Sequence, residues 1–157
     1  MSIPLHDDYL FCGPALVARL REMLSAADAP LVPAEDVLHI EQLSQAIANM
    51  GTRSPVVFVL WDGEGMGSGR QESQYGAARI MHQYWTVMLY VRSASQVIPD
   101  ARHITAGPLM SRIHMAIAGW KPSGAVLPFH RASPGKRPQY MTNGAMYPLT
   151  FSIDLHY

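Results

Sequence analysis

The stretch ARIMHQYWTVMLYVRS, Ala78 to Ser93, decides the fold. Met81, Trp85, Val87, Leu89 and Val91 fall on one side of a period-two pattern, and His82, Tyr84, Thr86, Tyr90 and Arg92 on the other. Side chains alternate across a strand in this way. The alternation runs over about fifteen residues, or about 50 Å at roughly 3.3 Å per residue. Ordinary strands have roughly 3 to 10 residues. The pattern therefore predicts a strand that bends or projects beyond the body of the domain.

On its N-terminal side stands SPVVFVLW, Ser54 to Trp61, a continuous β-branched and aromatic run. Such a run reads as a strand buried on both faces. Between the two lies DGEGMGSGRQESQYG, Asp62 to Gly76, read as the connection of a hairpin. The chain ends on YPLTFSIDLHY, in which Tyr147, Leu149, Phe151, Ile153, Leu155 and Tyr157 alternate with Pro148, Thr150, Ser152, Asp154 and His156. This predicts a half-buried strand with one polar face. AVLPFHR predicts a shorter strand, and ASPGKRPQ a turn-rich connection.

Helical spacing appears in three places. In GPALVARLREMLSAADAP, Pro14 suits a first helical position, Leu16, Val17, Leu20, Met23 and Leu24 form a stripe, and Pro30 and Pro33 close the element. EQLSQAIANMG predicts a shorter helix stopped by Gly51. In GPLMSRIHMAIAGWKP, Pro108 is expected to open a helix carrying Leu109, Ile113, Ala116 and Ile117, with Gly119 as a left-handed cap and Pro122 beyond it. The order predicts an α+β fold: one domain, residues 1–157, with a single mostly antiparallel sheet, helices packed on one face and a long projecting hairpin.

Composition narrows the function. The 157 residues are 48% hydrophobic and 15% charged, and twelve basic residues balance twelve acidic ones. A neutral chain lacks the field that gathers nucleic acid by counterion release, so sequence-independent DNA binding is not expected. Cys12 is the single cysteine, which excludes an intrachain disulfide and a thiolate metal cluster. The apolar run YLFCGPALVA is short, follows Asp7 and Asp8 and is broken by Gly13-Pro14, so no signal peptide is expected. No run reaches the roughly 18 apolar residues of a membrane span.

The glycine-rich stretch invites a phosphate-binding reading that fails on detail. A dinucleotide fingerprint needs glycine where Ser68 or Arg70 stands, and no lysine follows as a P-loop requires. The next element reads as a strand, whereas phosphate sites use the free N–H groups of a helix N-terminus. Ser68 lacks the spacing of a nucleophile elbow. The seven histidines form no H-x-x-x-H pair. Cys12 precedes a helix start, where a thiol can be activated, but a small buried hydrophobe is the simpler reading. Asp62 and Glu64 are expected in a loop without a frame to pair carboxylates. Arg131, Lys136 and Arg137 form a small basic cluster in a Pro/Gly-rich link, as a solvated loop does. No enzyme and no cofactor are expected.

Ten methionines and seven tyrosines suit surfaces that pack on other chains. The ordered set SPVVFVLWDG, YWTVMLYVRS, AGPLMSRIHMAIAGWKPSG and YMTNGAMYPLTFSIDLHY resembles the tail terminator proteins of long-tailed bacteriophages, also described as tail completion or minor tail proteins. The likeness runs in order from about Pro14 to Tyr157. It implies a structural virion protein, assembled in the host cytoplasm and located at the head-proximal neck end of the tail. It implies a sixfold homo-oligomeric ring that caps the tail tube protein, ends its polymerisation and meets the head-tail connector or stopper. DNA would pass through the lumen without sequence-specific binding, and no membrane is involved. A head stopper, neck or tube protein is the alternative. On this reading Asp62, Glu64, Arg70, Glu72 and Tyr75 are the expected contact-makers of an assembly loop, and residues 64 to 74 should be dispensable for folding. Gly119, Trp120 and Pro122 are expected to be structural.

Overall fold

A computed structural model describes residues 8–25, 32–42, 44, 45, 48, 54–66, 80–92, 101–125, 127–132, 135–141 and 144–156, with residues 65, 66, 80, 101–105 and 156 described by backbone alone. The elements are α1 (Cys12–Leu24), a 3-10 turn (Ala34–Asp36), β1 (Val37–Ile40), β2 (Val56–Met66), β3 (Ile80–Arg92), α2 (Ala101–Ile117), β4 (His130–Arg131), β5 (Gln139–Met141) and β6 (Gly144–His156). They build one six-stranded sheet in the order β1-β2-β3-β6-β4, with β5 also on β6. Only β1 and β2 run parallel; the other pairs are antiparallel. The α+β architecture is as the sequence predicts.

The long alternating stretch is β3. β6 pairs with it residue for residue, from Ile80 opposite His156 to Arg92 opposite Gly144. The two strands thus share the length that the sequence attributes to one. β2 accompanies β3 as far as Met66 opposite Met81. The rest of the expected hairpin, residues 67–79, lies outside the described residues.

Both helices lie on one face of the sheet. Leu16, Val17, Leu20 and Leu24 of α1 and Leu109, Ile113, Ala116 and Ile117 of α2 pack on Val57, Val59, Trp85, Val87, Leu89, Leu149, Phe151 and Ile153. Fully buried aliphatic and aromatic side chains each stabilise by roughly 1.5–3 kcal/mol relative to exposure. The opposite face carries a smaller cluster: Ile40, Val56, Phe58, Met88, Tyr90 and Met146. Val56 to Val59 are all inaccessible to solvent, which explains why β2 begins as an unbroken apolar run.

Three expectations need correction. Pro108 lies inside α2, which begins at Ala101. A proline in a helix interior removes a backbone donor and costs about 3 kcal/mol, and the buried stripe that follows it offsets that cost. α1 ends at Leu24, before Pro30, where Ser25 N–H donates to Arg21 O at 3.2 Å. β1 and β5 add two strands that the sequence pattern does not predict, because four and three residues are too few for a period to show. Of the expected second helix, residues 44, 45 and 48 are helical, and the remainder of its apolar face lies outside the described residues.

Truncating the centre of the core should be costly and truncating the rim should not. Trp85→Ala is expected to lower unfolding free energy by about 3–5 kcal/mol. Met115, 70% exposed on α2, should tolerate alanine within about 0.5 kcal/mol. Urea titrations of both variants check this, and equal midpoints would contradict the assignment of the core.

Candidate functional site

The site begins with an irregularity in β2. Trp61 stands opposite Trp85 and Glu64 opposite Gln83, so Asp62 and Gly63 together face one residue, Tyr84. This is a β-bulge. Gly63 has φ 100°, a conformation that side-chain-bearing residues rarely adopt. Gly63, expected in the connection of a hairpin, instead bends a paired strand. The extra residue changes which side Glu64 takes. Asp62 points to the face away from the helices, while Glu64 follows Trp61 and Gln83 on the helix-covered side.

Asp62 is therefore held in a frame. Its carboxylate accepts from Thr86 Oγ1 at 3.1 Å and forms an ion pair with Lys136, whose ammonium comes from the segment between β4 and β5. Thr86 also meets Thr150 across β3 and β6 at 3.0 Å. Beside this polar row is a cavity of about 220 Å3 lined by Leu60, Met88, Met146 and Pro148, with Arg137 and Gln139 among its polar residues. The basic cluster of the sequence is thus divided: Lys136 and Arg137 line this cavity, and Arg131 stands on β4. Glu64 is exposed at the end of β2. Arg70, Glu72 and Tyr75, the other expected loop contacts, lie outside the described residues, as does Ser68.

The second constellation closes α2. Gly119 has φ 79° and donates its N–H to Phe129 O at 2.9 Å. Trp120 N–H returns to Ile117 O, and Phe129 N–H donates to Trp120 O, both at 2.9 Å. The rings of Trp120 and Phe129 stack at 6.0 Å and 9°. Arg19 of α1 lies over Trp120 at 5.5 Å and donates Nε–H to Ala116 O at 3.1 Å. A cation at the last carbonyls of a helix is favoured by the helix dipole. Pro122 is buried. Trp120 thus joins α1, α2 and the approach to β4.

Sequence reasoning missed Gln83. It is inaccessible to solvent on the helix-covered face, donates to Tyr9 O at 2.7 Å and accepts from Trp85 Nε1 at 3.2 Å. It fixes the segment before α1 to the sheet. A single polar residue within an apolar alternation is the signal that could have found it, since buried amides require partners.

His82 Nδ1 pairs with the Asp154 carboxylate across β3 and β6, but among the described residues no hydroxyl or thiol is bonded to that imidazole. Among the described residues, no three His, Cys, Asp or Glu side chains gather as metal ligands, and no helix is long and apolar enough to cross a membrane.

Cys12 is buried at the start of α1, and burial, with a smaller contribution from the charge of Asp8, pushes its thiol up to about 12 from an ordinary 9.0. The neutral form is the one folding favours. Its stabilisation is complete below pH 9 and is lost as pH rises through 12. Native protein at pH 8 should therefore resist a thiol-labelling reagent that modifies it quickly in urea; equal labelling rates would place Cys12 elsewhere.

A search of curated proteins returned no match. Residues 6–157 match the family described as phage tail terminator protein. That span takes in every described strand and both helices, so the bulged strand, the polar row and the Trp120 clamp all fall within it, and the chain belongs to the phage tail terminator family, a family of structural proteins of the phage tail.

Proposed function

We propose that copies of this chain close into a ring, six-membered as the family resemblance implies, that caps the head-proximal end of the tail tube. The ring ends tube polymerisation and offers its other side to the connector or stopper of the head. DNA passes through its lumen without being read, which requires no basic surplus, and the chain has none. Assembly takes place in the host cytoplasm. The observation that carries this reading is the family match across residues 6–157.

The fold supports it through its edges. β1 pairs only with Val57 to Leu60, so among the described residues no strand covers Trp61 to Met66 on the side away from β3. At the other edge, β4 and β5 cover β6 only at Phe151–Ser152 and at Gly144–Met146. Unpaired strand edges offer backbone groups to another chain.

The end of the β2–β3 hairpin is the part we assign to contacts with the tube or a neighbouring subunit. Glu64 is its exposed described member; Asp62 supports it from within through Lys136 and Thr86. Removing residues 64 to 74 would cut paired residues from β2, contrary to the expectation that this segment is dispensable. Replacing residues 67–79 with a short Gly-Ser link is the cleaner test. The variant should keep its unfolding free energy within about 1 kcal/mol of the unaltered protein. Added to polymerising tail tubes, it should leave them overlong in negative-stain images where the unaltered protein stops them at one length. Tubes of normal length with the variant would remove the hairpin end from the capping role.

A further inference from the structure

Two exposed patches face outward from opposite edges of the sheet, and they stand at the same level. Trp61, Trp85, Phe151 and Arg131 form one cross-strand row, each directly opposite the next. Trp85 and Phe151 are the buried middle of that row under the helices, and Trp61 and Arg131 are its ends.

The first patch lies at the β2 edge. Trp61 is 38% exposed and Leu10 40%. Tyr9 meets the Trp61 ring edge-on at 6.3 Å and 85°. Glu64 follows on the same side of the strand. The second patch is an open depression at the β4 edge, lined by Met110, Ser111, His114 and Met115 of α2 with Leu149 and Arg131. Arg131 lies over the Phe151 ring at 5.3 Å, and the His114 ring meets the same ring at 6.2 Å, tilted by 36°. Arg131 makes no ion pair among the described residues. Burial also lowers its pKa from the ordinary value, so this cation is partly desolvated without a counter-charge.

Charge distinguishes the two patches. Asp8, whose carboxylate accepts from Leu10 N–H, and Glu64 stand at the first, whereas Arg131 lines the second. Along the sequence, no Asp or Glu stands between Asp100 and Asp154.

We propose that each patch is the docking site for the other patch of a second copy of this chain. Trp61, Leu10 and Glu64 of one copy seat against Met115, His114 and Arg131 of the next. The aromatic ring covers the exposed methionine and receives the guanidinium over its face, and Glu64 supplies the missing counter-charge. Complementary sign favours this pairing. Two basic depressions or two acidic edges brought together would repel. The contact is therefore heterologous: each copy donates one patch and accepts with the other, so that copies continue in one direction until the rotation closes a ring. The inference rests on the ring reading above and names the surface that makes it.

The test uses two full-length variants, Trp61→Ala/Glu64→Lys and Met115→Glu/Arg131→Glu. All four positions lie on the two patches, and near-ultraviolet circular dichroism checks that both variants fold. Masses are measured by sedimentation across a concentration series. Each variant alone should weaken self-association by about thirtyfold or more, as loss of an interface anchor does. Mixed in equal amounts, they should form a dimer and stop there, because one intact patch remains on each. Rings from either variant alone, or a mixture that stays monomeric, would overturn the proposed surface while leaving the ring reading standing if the unaltered protein forms rings. Open filaments from the unaltered protein, with the mixture still stopping at dimers, would retain the surface and refute closure. An unaltered protein that stays monomeric throughout would overturn both.

Discussion

The register of β3 on β6 is the constraint on which the rest of the structure depends. Thirteen consecutive residues pair without interruption. Because side chains alternate, a slip of one residue would turn every apolar group of one strand away from the helices. In the observed register Trp85 faces Phe151, Val87 faces Leu149 and Leu89 faces Tyr147 on the helix-covered side. The same register necessarily sets Thr86 against Thr150 and His82 against Asp154 on the other side. The core and the polar row are two consequences of one pairing. β2 joins this frame from the N-terminal side, and the bulge at Asp62–Gly63 adjusts its own alternation without disturbing that of β3 and β6.

Much of the fold was legible because the long elements carry long patterns. β3 and β6 showed their alternation over enough residues to exclude a helix, and the apolar stripes of α1 and α2 are the faces that pack on the sheet. The errors fall where a local rule met a tertiary override. Pro108 is the residue type that opens helices, yet burial of Ala106 and Leu109 on either side holds it within one. The left-handed cap at Gly119 is legible in the sequence because it is a local requirement that few residues meet. β1 escaped because a four-residue strand has no period to read.

The candidate site was less legible. The composition of Asp62 to Gly76 reads as a loop, but Gly63 is a bulge glycine and the strand continues to Met66. Nothing local distinguishes a glycine that permits a bulge from one that permits disorder. The partners of Asp62 lie in β3 and in the segment before β5, the latter 74 residues away. Gln83 likewise acts through a backbone carbonyl 74 residues distant. Polar contacts across such separations leave no spacing in the chain.

For a structural protein of the phage tail, the separation of core from edge has a physical consequence. Trp85 and Phe151 form the interior of one cross-strand row, and the proposed contact would use its ends, Trp61 and Arg131. Trp85 and Phe151 are inaccessible to solvent, whereas Trp61 and Met115 are not. A substitution at the end of a row changes what the domain meets with little effect on whether it folds, because few of that side chain's contacts are internal. The distribution of charge extends the same logic. A chain with a large net charge of one sign would repel its own copies at every approach. On the proposed contact, Asp8 and Glu64 beside Trp61 would meet Arg131 beside Met115, and like patches would repel. The proposed head-to-tail contact would then be oriented by these charges before Trp61 and Met115 are buried.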